Sequence, residues 1–585
     1  TELKRSFGLL GMIGFSFSIV TRFVDSNQSD PLQLTERDTQ LDGTGGVFIV
    51  GVNAGGPPVM VYSWLVVCLL TLAVAYPMAE MCSMYPVAGG QYSWVAILAP
   101  PKVARGFSYV AGWFMLTGMT TYLTFYDYTF CSSEDQQELT VAGILAMGAT
   151  NNFVAANFVL GQANLVFPSF TIERWHTVLV AYAIAFLAAA INIWGPHLLN
   201  RISRAVLIWN VCSFVIVMVT VLATNDHKQP ASFVFKEFQN FTGWSSSAMA
   251  AIIGILQACF GMCCYDAPSH MTEEMKNASR EAPKAIILSV VLGAVTGFGF
   301  LLTLCFCIGD IDQTANTTTG VPVIQIFYDS TGSKVGACFL TSLLAVIAIM
   351  AGNSLLAEGS RAVYAFARDR GLPFSGFFAK VDKRRKVPLN AILLTLAVQM
   401  ALDAIYFGTW TGFETVISIA TEDFVSLIPY LLSSTVQYIR PSTNNIRTTD
   451  LSYAMPLFSR LLAYFTGHLT TFQGPWSLSL PVSLTVNAVG LLFLTFCAIT
   501  FNFPYSAPVT RDSMNYTSAA IGVIMLVSVV TWLTTGRKQF TGPADVRTLM
   551  ARSSAEKAEG ASESTEGKYE NGYHGASEEV RTKSG

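Results

Sequence analysis

Polar residues are confined to short breaks along most of this chain. Thr177 to Trp194, Val206 to Ala223, Ala285 to Ile308 and Val335 to Leu356 hold no Asp, Glu, Lys or Arg. A helix of roughly 20 residues crosses a hydrocarbon core of about 30 Å, so each run predicts a membrane span. Further runs begin near Phe7, Val59, Phe107 or Ile144, Ala248, Ala391, Val416, Leu480 and Thr517, and the pattern predicts about twelve spans in an all-α integral membrane protein. The spans fill residues 1–536. Residues 537–585, rich in Ser, Glu, Lys and Gly, are expected to form a disordered cytoplasmic tail.

Composition agrees with the pattern. Of 585 residues 52% are apolar and 12% charged, against about 25% charged in soluble domains. The net charge of −3 comes with no basic stripe, so the bilayer is an expected partner and nucleic acid is not. Eleven cysteines sit mostly inside apolar runs without ligand spacing, which marks them as small hydrophobes. The six histidines (His176, His197, His227, His270, His468, His574) are scattered, so neither a metal nor a cofactor is expected, and His270 is read as structural. The chain opens on Thr1 with no cleavage site behind it, which predicts a truncated N-terminus and no signal peptide. Lys102/Arg105, Arg201/Arg204, Lys276/Arg280/Lys284 and Lys383 to Lys386 occupy alternate loops, placing those loops and both termini in the cytoplasm. Asn240, Asn316 and Asn515 open N-x-S/T sequons in the intervening loops, compatible with an external face.

Three polar stretches interrupt apolar runs. Asp127, Glu134, Asp135 and Glu138 lie between GWFMLTG and ILAMGATNNF. At roughly 2.5 to 3.5 kcal/mol for each carboxylate at a helix centre, they cannot sit inside a span. Deleting about 119–143 would join the flanks into one apolar helix, and segments 22–42 and 425–451 divide two other runs in the same way. Codons for Val425-Ser426 (GTGAGT) and Gly118-Met119 (GGTATG) can carry splice donors. The three segments are therefore read as possible translated introns, with genuine loops as the alternative.

Two runs carry features that ordinary spans lack. Gly11-Met-Ile-Gly14-Phe15-Ser16-Phe-Ser18 mixes glycines with hydroxyls, and Phe260-Gly-Met-Cys-Cys264-Tyr-Asp266-Ala-Pro268 places Gly, Asp and Pro within one run. Helices break at membrane depth where freed backbone groups line a cavity, and two facing breaks make a midplane site for an anionic substrate group. The amides of Gly14, Phe15, Ser16 and Ser18 are candidates for holding a substrate carboxylate, with close helix packing as the alternative for Gly11 and Gly14. An ionisable residue inside a span is a functional candidate by default, which singles out Asp266 as a proton acceptor or a partner for a substrate ammonium. Glu358 stands one turn before Arg361 and is expected to pair with it. Asp403 is expected to reach the interface. Asn353 and Ser354 could offer oxygens toward the first helix, or could form a helix–helix hydrogen bond.

Three stretches resemble a known family: PMAEMCSMYPVAGGQYSW from Pro77, YDAPSHMTEEMKNASREAPKAI from Tyr265 and RAVYAFARDRGLPFSGFFAKV from Arg361. They look like segments of fungal amino acid/choline/GABA permeases of the amino acid–polyamine–organocation superfamily, in the right order. That resemblance implies a LeuT-type fold, two inverted five-helix repeats with helices one and six broken. It matches Asp266 to the acidic residue that couples the sixth-helix break to transport, and Phe260 to an aromatic lid, an ordinary core aromatic being the other reading. Ser16 and Cys264 stand where many bacterial relatives have Gly, which leaves the substrate open. Glu80 beside Gly89-Gly90-Gln91, and Glu273/Glu274 near Arg280, look like cytoplasmic gate residues, joined by Glu358 and Arg361. The expected function is secondary transport of a small amino acid, GABA or choline-like amine at the plasma membrane. A proton is the expected coupling ion, and no residue excludes sodium. A channel would need a continuous polar pore; a membrane enzyme would need clustered His, Asp or Cys.

Overall fold

The computed structural model describes residues 5, 7–20, 51–100, 102–116, 143–194, 196–315, 317–408, 453–467, 474–500, 503–504, 507–509, 528–540 and 542–543. The polar segments at 22–42, 119–142 and 425–451, the spans expected near Val416 and Thr517, and nearly all of the tail after Phe540 lie outside the described residues. The described chain is almost wholly helical. Its principal helices are α1 (Leu9–Val20), α2 (Gly56–Met84), α3 (Gln91–Leu98), α4 (Ala104–Leu116), α5 (Gly143–Val166), α6 (Arg174–Trp194) and α7 (Pro196–Thr224) in the first half. The second half holds α8 (Ser247–Gly261), α9 (Ala267–His270), α10 (Ala278–Cys307), α11 (Lys334–Arg368), α12 (Leu389–Ala404), α13 (Ala454–Phe465) and α14 (Leu480–Thr500). Among the described residues seven helices are long and apolar enough to cross a membrane.

Their outward faces are apolar. Leu179 and Phe186 on α6, Ile208 and Val219 on α7 and Leu492 on α14 are each at least half exposed. In water that much exposed aliphatic surface would drive association; in lipid it is the stable arrangement. The inward faces carry small and polar residues, among them Asn192, Ser203, Asn210 and Thr341, because helices in lipid gain by close approach and interhelical hydrogen bonds. α2 packs on α10, α5 on α11, and α1 on α7, α10 and α11. A two-residue antiparallel ladder ties Ala54–Gly55 to Gln239–Asn240.

The run from Ser247 does not continue as one helix. α8 ends at Gly261, Cys264 takes a left-handed φ of 58°, and α9 begins at Ala267. Pro268 explains the stop: in a continuous helix its ring would collide with the carbonyl of Cys264, four residues back. After a 3-10 turn at Thr272–Glu274 the chain bonds to the segment entering α1, through Phe7 N–H to Glu274 O and Lys276 N–H to Phe7 O, both 3.0 Å.

α1, in contrast, is continuous from Leu9 to Val20. This corrects the expectation of a break at Gly14–Ser18: those amides are spent on bonds within the helix. The reason lies in packing against α7. A Cβ on Gly14 would sit 2.1 Å from Ser203 O, and one on Gly11 would sit 2.0 Å from Asn200 Oδ1. Gly14 therefore lets α1 touch the α7 backbone, and Gly11 makes room for the Asn200 side chain.

Gly14→Val is expected to cost about 1–3 kcal/mol by forcing these helices apart, read as a lowered melting temperature of the solubilised full chain. Gly8→Ala, where an added Cβ meets nothing within 4 Å, is expected to leave it unchanged. In the loop after α11, Asp382 Oδ1 accepts from the backbone N–H groups of Arg385 and Arg384, both at 2.8 Å. These bonds, with the two guanidinium charges, hold the carboxyl below the ordinary Asp range. The folded value is depressed, so the turn is stabilised at neutral pH and loosens as pH falls below about 3.9. Hydrogen exchange at the Arg384 and Arg385 amides is the measurement.

Candidate substrate and coupling site

Asp266 lies at the break with its side chain fully buried. Groups from two other parts of the chain, and one from the turn that follows it, converge on it. Gln91 Nε2 donates to Oδ2 and the Tyr453 hydroxyl donates to Oδ1, while His270 Nε2 lies 3.1 Å from Oδ2. Each is placed by local structure. His270 is one turn further along α9. Gln91 opens α3 directly after Gly90, whose φ of 53° and ψ of −126° suit glycine alone. A Cβ on Gly90 would also come within 2.8 Å of His270 Cε1 and 2.9 Å of Ser269 Oγ. Tyr453 stands at the head of α13 with its ring 5.3 Å from that of Tyr265.

Glu358 on α11 completes the cluster. One ligating atom each from Asp266, His270 and Glu358 all lie within 4.8 Å of one another, and all three residues are buried. The hydroxyl and amide donors on Asp266 offset its negative charge by hydrogen bonding, the role an ion would otherwise fill, so no metal is assigned to them.

The Glu358–Arg361 pair expected from sequence is not made. Arg361 Nε donates to Glu274 Oε1 at 2.8 Å, and its Nη1 reaches Asn192 Oδ1 at 3.2 Å and Ser360 Oγ at 3.0 Å. Glu274 arrives from the turn after α9, a neighbour that spacing along α11 cannot reveal. Glu273 pairs with Arg368 at 2.6 Å, so the partners of both glutamates lie on α11 and are not Arg280. Glu80 on α2 accepts from Arg460 on α13 at 2.8 Å, from Ser483 Oγ at 2.5 Å and from the Leu478 N–H at 2.6 Å. These three ion pairs lie at one end of the helices, the end that carries the Lys276–Lys284 and Lys383–Lys386 loops.

The remaining candidates are more dispersed. Ser16 donates to Ser289 on α10 at 3.0 Å. Ser18 bonds Phe15 O at 2.8 Å and meets Ser354 at 3.1 Å, the helix–helix reading of Ser354. Asn353 turns away from α1 and accepts from Asn192 Nδ2 at 3.0 Å. Phe15 packs edge-on against Phe7, with ring centroids 5.9 Å apart. Phe260 is buried, and its carbonyl accepts from Cys263 Sγ at 3.0 Å. Gly14 faces α7. Asp403 does not reach the interface: it is fully buried on α12, with no hydrogen-bond partner for its carboxylate among the described residues.

Sequence reasoning missed Gln91, His270, Tyr453, Arg368 and Arg460 as partners. Asp266 and His270 stand four apart, the spacing that places two residues on one helical face, and that signal was available. The others come from distant segments and left none.

A largely helical chain with apolar outer faces, a helix broken at a buried acid and charge pairs at one end is built as a membrane carrier. The family model for amino acid permeases matches residues 34–133 and 139–528, and the chain belongs to that family. It is similar to a candidate amino acid/polyamine transporter of Macrophomina phaseolina, 55% identical over 87% of this chain and 97% of that protein. A choline transporter of Saccharomyces cerevisiae is 28% identical over 92% of this chain and 83% of its own length. An amino-acid permease of Arabidopsis thaliana is 26% identical over 93% of this chain and 94% of its own length. All three are transporters or permeases by name, and the chain stands with carriers of the amino acid–polyamine–organocation superfamily, not with enzymes.

Removing one partner of a buried ion pair leaves the other charge uncompensated. Arg460→Ala is therefore expected to destabilise the protein by about 3 kcal/mol, measured by thermal melting. The double variant Glu80→Gln/Arg460→Met should lose clearly less than the two single changes added together.

Proposed function

We propose that this permease imports a small amino acid, a GABA-like compound or a choline-like amine by alternating access, driven by a proton. The observation that carries the proposal is the buried carboxylate of Asp266 at a helix break, held from α3, α9 and α13. An acid in that position can hold a proton or a substrate ammonium, and the break exposes backbone groups beside it. The names of relatives in the choline and amino acid/polyamine classes favour a small solute bearing a positively charged nitrogen.

The architecture proposed is twelve spans in a LeuT-type pair of inverted five-helix repeats, with both termini in the cytoplasm and the protein in the plasma membrane. A two-fold relating each helix to the fifth one after it would pair spans two with seven, three with eight and four with nine. Contacts of α2 with α10, α5 with α11 and α6 with α12 support that arrangement. Ser16, Ser18, Phe260 and Cys264 remain candidate substrate-binding positions with Asp266, though Ser16 and Ser18 act through side chains and not through freed amides. The Glu274–Arg361, Glu273–Arg368 and Glu80–Arg460 pairs are the proposed inner gate, which must part when the site opens inward.

The segments 22–42, 119–143 and 425–451 are proposed to be intron-derived. What supports that reading is the sequence: each segment divides an apolar run, and the carboxylates of Asp127, Glu134, Asp135 and Glu138 could not sit inside a span.

Radiolabelled uptake of amino acids, GABA and choline tests the reading. Uptake is expected to fall at least about tenfold in Asp266→Asn and when the pH gradient is collapsed, the scale of removing a central charged hydrogen-bond acceptor. Uptake indifferent to both changes would reject the assignment. Sequencing of transcripts is expected to find the three polar segments absent from the main message, and uptake by the edited chain is expected to exceed that of the chain as written.

A further inference from the structure

The hydrogen bonds of His270 fix where its protons lie. Nδ1 is 3.2 Å from the carbonyl oxygen of Ala88, and a carbonyl only accepts, so Nδ1 carries a hydrogen. A neutral ring would then present a bare lone pair at Nε2. Yet Nε2 lies 3.1 Å from Asp266 Oδ2, which in an ionised carboxylate is also only an acceptor. Two acceptors do not rest at that distance; one proton between them turns repulsion into a strong hydrogen bond. Whether the proton sits on nitrogen or on oxygen, the pair holds one more than a neutral imidazole beside a carboxylate.

Resting on the proton-coupled reading above, we infer that Asp266 and His270 share one proton, that this pair is the seat of the coupling ion, and that Glu358 converts its loss into motion. Glu358 approaches from α11. Among the described residues, the other groups facing the pair are the Tyr453 hydroxyl from α13, the Gln91 amide from α3, and Tyr265 with the thiols of Cys263 and Cys264 from the break itself. α1, which packs on the same segment, carries no titratable residue. α10 brings Arg280, Glu281 and Lys284 at its start, and among the described residues none of these pairs with Asp266 or His270.

With the proton gone, two carboxylates and a neutral ring remain within 4.8 Å of one another. Like charges so close cannot both stay ionised in a buried site without moving apart. The parts that must separate are α9 and α11, the same two regions that the Glu274–Arg361 pair clamps together. Glu274 follows His270 by four residues and Arg361 follows Glu358 by three, so the clamp lies about one turn away. Proton release thus presses directly on the inner gate, and Glu358 becomes an alternative partner for the Arg361 guanidinium.

The test needs no substrate: pH-difference infrared spectroscopy of the purified full chain in lipid vesicles. As the pH is raised, the unaltered chain is expected to lose one carboxyl or imidazolium signal. That signal should vanish in Asp266→Asn, and its midpoint should move by at least about one pH unit in His270→Gln. If Asp266→Asn does not fold, His270→Gln alone decides. Spectra of the variants that superimpose on that of the unaltered chain would overturn the inference. A signal lost in Asp266→Asn but unmoved in His270→Gln would overturn the sharing. Because the readout is independent of uptake, a transport assay that fails leaves it standing, and a coupled transporter without this signal would sink the shared proton alone.

Discussion

A carboxylate placed where lipid surrounds the protein must be answered by hydrogen-bond donors, by opposite charge or by a proton. Asp266 determines much of the surrounding structure for that reason. Gln91 and Tyr453 come from segments far apart in the chain, and Gly90 forgoes a side chain so that the His270 ring can reach its place. Remove the acid and the convergence of α3, α9 and α13 on one point loses its purpose. The break in the helix follows from Pro268, but the use of the break follows from the residue two positions before it.

A second constraint is closeness between helices. Lipid gives no hydrophobic reward for burying one apolar face against another, so contact surfaces rely on small residues and on polar pairs. Gly11 and Gly14 press α1 onto α7, Ser16 bonds Ser289 on α10, and Ser18 meets Ser354 on α11. α1 is thereby held on three sides by short groups that tolerate sliding better than interlocked large side chains. The ion pairs tie other parts together, α11 to the turn after α9 and α2 to α13.

Much of this was legible in the sequence, and the failures have a common cause. Uncharged runs locate spans because the cost of a charge in hydrocarbon is local and large. The break between α8 and α9 was legible because Gly261, Asp266 and Pro268 are local signals as well. The glycines of α1 were ambiguous, since an absent side chain serves an unwound backbone and a tight helix contact equally, and only the neighbouring Ser203 carbonyl decides between them. Arg361 was assigned to Glu358, its nearest acid along the helix, whereas Glu274 lies nearer in space. Asp403 was sent to the interface by its position near a helix end, yet its side chain is fully buried. Spacing along one helix predicts what shares a face; it says nothing of which distant segment covers that face.

The paired strand-like contact between Phe7 and Met275 carries a mechanical consequence. Its two bonds join main chain to main chain, so no substitution short of proline, which lacks the N–H, deletes them. The entrance to α1 and the stretch leaving α9 are stitched together like two edges of one seam, and any rearrangement that swings one outward drags the other along. A displacement of either part is therefore expected to carry both as a single composite strap, not as two independent flaps.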